Sequence, residues 1–309
     1  SPDSHACYIP GSQRVALVYR KVSNNNSATV LFGSVNGTAK TISWSSGQWN
    51  SGSKYNFHIA PLGNKTQFAV MFRNASNQGY AMCFKVHSNG NSIAQEGNTV
   101  STGFNIFPTM SYDSSVDAMV FTGRNGLASD KIQALAVKFN DGTSNSDPAV
   151  TGSVVDVATD GNDNQGVAVV YNPDTSGTSI YYGRATKFKD LTINASTMAI
   201  TQGSVQSFGS GTGTGATGIQ NLAADYDTQN DRTFIFYTNL NAGNTTTGGI
   251  SLRQHGTETT ATTENFIGFS SAGYSNGNTA TIKVVGNTST QSSLTPGQKY
   301  FLQADGTIG

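Results

Sequence analysis

The chain is short of charge. Only 12% of its 309 residues are charged, with Lys plus Arg at 18, Asp plus Glu at 18 and a formal net charge of +0. That excludes a nucleic-acid protein, which needs clustered cations to displace counterions from phosphates, and a charge-extended disordered chain. Cysteine is almost absent: Cys7 and Cys83 are too few for a disulfide framework. Each sits in an apolar strand-like run, and both read as unpaired core residues of a protein assembled in a reducing compartment, with a disulfide between them as the alternative. No run approaches the roughly 18 apolar residues of a membrane-spanning helix, so no membrane insertion is expected. There is no secretory signal and no initial Met, which reads as a trimmed piece of a longer chain. In place of charge there is glycine, at 35 residues, with abundant Ser, Thr and Asn. These residues suit turns and β surfaces and are poor helix formers.

The organisation is a repeat. Five strand-like runs share one pattern, mostly apolar and ending in an aromatic: Val15–Tyr19, Phe68–Phe72, Asp117–Phe121, Val167–Tyr171 and Thr233–Tyr237. Each follows a short strand and a turn (HACYIPGSQ, FHIAPLGNK, PTMSYDSSV, VDVATDGNDNQ, NLAADYDTQND) and precedes a third strand. A fourth, more polar strand follows in most units, as in TISWSSG, but the last unit lacks an obvious one. A unit of about 50 residues with four short strands predicts a β-propeller blade. The fold class is therefore all-β: a propeller of about five four-stranded blades over residues 1–257, then a small all-β C-terminal module over 258–309. In the module Phe266–Ser270, Thr279–Val285 and Lys299–Ala304 read as strands.

Candidate chemistry is sparse. His5, His58, His87 and His255 have no spacing that places two on one strand face, and each reads as a surface or strand-edge group. No zinc spacing exists, so neither a metal nor a cofactor is expected. Gly213, Gly215 and Gly218 match Gly-x-Gly-x-x-Gly, but a strand follows rather than the helix a dinucleotide needs. The turn Asp160-Gly161-Asn162-Asp163-Asn164 lacks the downstream Glu of a calcium loop. Asp113, Asp160 and Asp227 fall at equivalent turns and read as turn formers. No catalytic residue is assigned, and a non-enzymatic chain is expected. The ligand-binding candidates are aromatic: Trp44 and Trp49, flanking a polar segment, and the adjacent Tyr181 and Tyr182. One of each pair could face solvent and stack on a sugar ring; packing between blades is the alternative.

The repeat, with its third strand Leu31-Phe32-Gly33-Ser34-Val35-Asn36-Gly37, resembles propeller repeats of tail-fibre and other virion proteins of marine bacteriophages, including phages of cyanobacteria. The ending is more specific. Glu264–Gly268, Thr279–Gly286 and Leu294–Thr307, the last carrying Leu-Thr-Pro-Gly-Gln-Lys-Tyr and Ala-Asp-Gly-Thr, looks like the C-terminal module found behind such repeats, where one further segment normally follows. The resemblance implies a virion fibre or appendage, often oligomeric, with no catalytic residues to carry over. It leads to the expectation of an adhesive protein at the virion surface, assembled in the host cytoplasm. Its partners would be other virion subunits, as a homo-oligomer, and a host-surface glycan or protein. The alternatives are a propeller glycosidase or polysaccharide depolymerase, and a cellular extracellular surface or filament protein.

Overall fold

The computed structural model describes residues 4–21, 27–47, 53–87, 92–127, 130–140, 150–158, 166–183, 186–208, 218–240, 246–254, 269–270 and 282–283. The chain divides into two compact units, Ser1–His255 and Gly256–Gly309. In the second, the described strands Phe269–Ser270 and Ile282–Lys283 pair antiparallel. Strand candidate Lys299–Ala304 lies outside the described residues.

The first unit is a five-bladed β-propeller. Blade one is β1 Ser4–Ile9, β2 Arg14–Lys21, β3 Ser27–Asn36 and β4 Thr41–Gly47. Blade two is β5 Lys54–Pro61, β6 Gln67–Asn74, β7 Gly79–Val86 and β8 Ile93–Ser101. Blade three is β9 Ile106–Asp113, β10 Ala118–Asn125 and β11 Lys131–Lys138, edged by β12 Val150–Thr151 and β13 Val155–Ala158. Blade four is β14 Val167–Asn172, β15 Gly177–Tyr182 and β16 Lys187–Ile193, edged by β17 Ile200–Gln202 and β18 Gln206–Ser207. Blade five is β19 Gly218–Asp227, β20 Arg232–Leu240 and β21 Thr246–Gln254. The first strand of each blade packs on the first strand of the next, β1 on β5, β5 on β9, β9 on β14 and β14 on β19. Those strands form the hub.

The repeat frame slips in one unit. The sequence pattern makes VDVA the first strand of blade four and Val167–Tyr171 its second. Instead Val155–Ala158 pairs with β11 as an outer strand of blade three, and Val167–Asn172 is the hub strand of blade four. A run buried on both faces reads the same at the hub or one strand outward, so hydrophobicity alone does not fix the frame.

Among the described residues, four apolar clusters hold the wheel, one at each junction between consecutive blades from one to five. Ile9, Ala16, Val18 and Val30 of blade one meet Phe57, Ile59, Phe68 and Val70 of blade two. Ala69, Met71 and Cys83 meet Met119, Phe121 and Leu135 at the second junction. Val120, Ala134 and Val157 meet Val169, Ile180 and Tyr182 at the third. Val170, Tyr181 and Phe188 meet Ile235 at the fourth. Strands of the middle blades are accordingly buried on both faces, as in β6 and β10, whereas β2 alternates. Cys7 lies beside the first cluster and Cys83 within the second, and the two form no disulfide with each other.

Two of the histidines are not surface groups. His5 and His58, from hub strands β1 and β5, stack with ring centroids 4.3 Å apart. His5 Nδ1 accepts from the Ile59 amide at 3.3 Å, and His58 Nδ1 is buried without a partner. Burial lowers both, and the neighbouring His5 helps bring His58 down to about 3. The unfolded chain therefore binds protons that the folded one refuses. This stability is complete above about pH 6.5 and is lost as the pH falls from there, by at most roughly 1.4 kcal/mol per pH unit for each ring. The urea midpoint is expected to fall between pH 7.5 and pH 5, and His58→Phe, which keeps a stacking ring but takes no proton, to flatten that slope. Equal slopes in the two proteins would refute the assignment.

Candidate functional site

The polar groups of the wheel gather where hub strands turn into second strands. Four of these hairpins have four-residue loops, 10–13, 114–117, 173–176 and 228–231, and close on a left-handed residue: Gln13, Asp117, Ser176 and Asp231, with φ between 49° and 54°. At the last three, the final hub residue caps the turn. Asp113 accepts from the Ser115 amide and hydroxyl, Asn172 from the Asp174 and Thr175 amides, and Asp227 from the Gln229 amide. These are Asx turns, in which a short side chain takes the place of a backbone acceptor. Asp113 and Asp227 are thus turn formers, with Asn172 as their equivalent in blade four; Asp160 lies outside the described residues.

One residue before each cap stands a tyrosine, and each crosses to the preceding blade. Tyr112 lies against Gly63 of blade two, where an added Cβ would come within 2.6 Å of the ring. Its hydroxyl donates to Asp117 at 2.6 Å, and Lys65 of blade two donates to the same oxygen at 2.5 Å. Lys138 stands 3.6 Å from the other oxygen. Burial by itself would raise the Asp117 carboxyl, but the bonds from Lys65 and Tyr112 hold it below the usual carboxylate range. Tyr171 accepts from Ser114 of blade three at 3.0 Å. Tyr226 donates to Asp174 of blade four and lies 2.6 Å from Asp231 of its own hairpin. Burial and these two carboxylates push its phenol well above the ordinary value.

The last constellation is the chemically capable one. Asp174 is exposed and Asp231 half-buried. They come from consecutive blades and share one hydroxyl, so their near oxygens are at most about two hydrogen-bond lengths, roughly 5 Å, apart. A phenol has one proton to give, so the site holds more acceptor capacity than donor. Asn172 Nδ2 stands 3.5 Å from Asp231 Oδ1. No group of three or more metal-binding side chains occurs among the described residues.

Sequence reasoning reached the caps and missed the tyrosines. The signal was present as Tyr-[Asp/Asn]-x-x-x-[Asp/Ser] in Tyr112–Asp117, Tyr171–Ser176 and Tyr226–Asp231. The slipped frame of blade four hid it, by aligning Asp160 with Asp113 and leaving Asn172 out.

The aromatic candidates divide. Trp44, on β4, is 44% exposed and lies with Ile42 across Gly33 of β3. Trp49 lies outside the described residues. Tyr181 and Tyr182 are fully buried, which corrects the expectation that one of them faces solvent. Adjacent strand residues point to opposite faces, and both faces of blade four are covered. Tyr181 enters the fourth cluster and Tyr182 the third. Tyr181 also accepts from Arg253 of blade five at 3.3 Å. That guanidinium forks onto Asp190 at 2.9 and 3.1 Å, donates to Ser179 at 2.7 Å and lies 4.1 Å over the Phe188 ring.

No family model and no curated protein matches the chain. Among solved structures it is similar to a mutant of AofleA from Arthrobotrys oligospora, at 9% identity over 81% of this chain and 68% of that one, with a TM-score of 0.47. It is similar to an α-L-arabinanase from Penicillium chrysogenum, at 8% identity, 82% and 76% coverage and a TM-score of 0.43. It is also similar to the periplasmic gluconolactonase PpgL of Pseudomonas aeruginosa, at 9% identity, 78% and 83% coverage and a TM-score of 0.39. At this identity the likeness concerns architecture alone. The expectation of a non-enzymatic chain does not stand, since the similar structures include a named arabinanase and a named gluconolactonase; the likeness assigns no chemistry to this chain. Scarcity of charge along a sequence does not prevent a wheel from bringing a few ionisable groups together at its hub.

Arg253 carries the polar half of the fourth junction. Arg253→Ala is expected to lower stability by about 1–3 kcal/mol in urea unfolding, toward the low end because the Asp190 side chain is 45% exposed. Arg253→Lys is expected to restore little, since an ammonium cannot fork onto a carboxylate. Full rescue by Lys would show that charge alone matters.

Proposed function

We propose that the chain acts on a polysaccharide at the hairpin end of the wheel, as a glycosidase or depolymerase with Asp174 and Asp231 as its working carboxylates. One observation carries this reading: two acids delivered by consecutive hub hairpins to a single hydroxyl, that of Tyr226. Glycoside cleavage uses two carboxyl groups, one to protonate the departing oxygen and one to attack or activate water. With near oxygens at most roughly 5 Å apart, the two acids are closer than the spacing that leaves room for an intervening water, so the route is the one in which the second carboxylate attacks the sugar directly and the configuration is retained. Tyr226 shows that the two acids can share one hydroxyl, and their remaining acceptor capacity is what a sugar hydroxyl would use. Asn172, beside Asp231, and Ser114, on the hairpin of blade three, offer neutral donors of the kind that sugar hydroxyls need.

The setting we propose is a virion surface, where such a chain would meet the envelope glycans of a host cell. The similarity of Glu264–Thr307 to the modules of marine phage fibres supports it. Other virion subunits would then be its neighbours, and mass spectrometry of purified particles would detect it there.

The activity is tested by incubating the full chain with a panel of neutral and acidic bacterial polysaccharides and measuring new reducing ends. Asp174→Asn and Asp231→Asn are each expected to reduce release by about 10²-fold or more while leaving the circular dichroism unchanged. The anomer formed first is expected to match that of the substrate. If no polysaccharide is cleaved, or both variants cleave like the parent, the reading fails.

A further inference from the structure

Four junctions are made inside the chain, and the wheel has a fifth pair of faces. The side of blade one that points away from blade two carries Tyr8, Leu17, Leu31, Val35, Ile42 and Trp44, which share a face by their cross-strand register. Tyr8 is 50% exposed, and Val35, Ile42 and Trp44 are exposed as well. The side of blade five that points away from blade four carries Ala223, Phe234, Phe236, Ile250 and Leu252. Phe236, Ile250 and Leu252 are 46%, 64% and 54% exposed. Ala223, Phe236 and Ile250 help line an open depression of about 530 Å³. Among the described residues no apolar cluster joins blade five to blade one, and β19 does not pack on β1 as the other consecutive hub strands pack. Two contiguous apolar faces of this kind mark an association surface.

The hairpins say what should cover the first of them. Tyr8 occupies the position of Tyr112, Tyr171 and Tyr226: one residue before the last hub residue, ahead of a four-residue loop closed by left-handed Gln13. Those three tyrosines all reach the hairpin of the preceding blade. Tyr8 lies on the equivalent face, and none of the described residues bonds its hydroxyl. Blade one is therefore built to receive a preceding blade, hydroxyl included. Blade five presents the face that blades one to four each offer to their successor, with the hairpin Thr228–Asp231 at its hub end.

We propose that this junction forms between copies: blade five of one chain seats on blade one of the next, with Tyr8 reaching the partner's hub hairpin. Among the described residues both faces are bare, and blade five presents the kind of face that blade one is shaped to receive, so a second copy supplies what each lacks. The contact is head-to-tail, since different surfaces meet, and it extends to a closed ring of chains or to a filament. This proposal does not depend on the polysaccharide reading.

The test uses two variants of the full chain, each spoiling one face. Ile42→Asp with Trp44→Asp spoils blade one, and Phe236→Asp with Ile250→Asp spoils blade five. All four positions are exposed, and circular dichroism and thermal unfolding confirm that each variant folds. By light scattering on a sizing column the parent is expected to assemble with rising concentration and each variant alone to stay monomeric. An equimolar mixture is expected to stop at a 1:1 dimer, because each partner supplies the face the other lacks. Tyr8→Phe is expected to weaken the parent's assembly severalfold. A parent monomeric across the micromolar to millimolar range overturns the proposal; that is the result if the two faces close on each other within one chain or if a sugar occupies Trp44. Variants that assemble like the parent, or a mixture that stays monomeric, also overturn it.

Discussion

A four-stranded antiparallel sheet of short strands cannot stand alone with two apolar faces. Everything in this molecule follows from covering them. Blades two to four each bury one face on the predecessor and the other on the successor, so β6, β7, β10 and β11 are apolar on both sides rather than alternating. Stability is then shared among junctions rather than held in one core, and a residue at the centre of a blade serves whichever neighbour its side chain faces. Tyr181 and Tyr182 show this directly: successive residues, successive clusters.

Apolar packing fixes how close the blades come but gives little angular definition, because it is not directional. The polar contacts at the hub hairpins supply direction. Tyr112 with Lys65 and Asp117, Tyr171 with Ser114, and Tyr226 with Asp174 tie each hairpin to the one before it. The same repetition concentrates hydroxyls, carboxylates and two ammonium groups at a single end of the wheel. A scaffold feature repeated with variation thereby becomes chemically uneven. At Tyr112 the acid Asp117 is met by two lysines, whereas at Tyr226 two acids share one phenolic proton, and that surplus of acceptors makes the Asp174–Asp231 pair the candidate for chemistry.

The architecture was legible because a period of about 50 residues survives in runs such as Phe68–Phe72 and Thr233–Tyr237, which keep their place as second strands. The frame of blade four was not legible, since Val167–Tyr171 has the same apolar content as those runs although it lies at the hub. Pairing partners decide that, and hydropathy does not record them. Trp44 was found from its polar surroundings, which do reflect exposure, whereas Tyr181 and Tyr182 sit beside Gly183 and a charged stretch that says nothing about the neighbouring blades. The histidines failed for another reason. His5 and His58 are far apart along the chain and meet only because two hub strands run side by side.

The sequence by itself determined the strand periodicity, the turn chemistry at Asp113 and Asp227 and the number of repeats. These are local properties, set within a few residues of backbone or by composition. Only the tertiary structure decided which strand stands at the hub, which acids meet, which aromatics are covered and which two faces are left bare. Those depend on what lies across a blade junction, about 10 Å away in space and some 50 residues away along the chain, where no local pattern reaches.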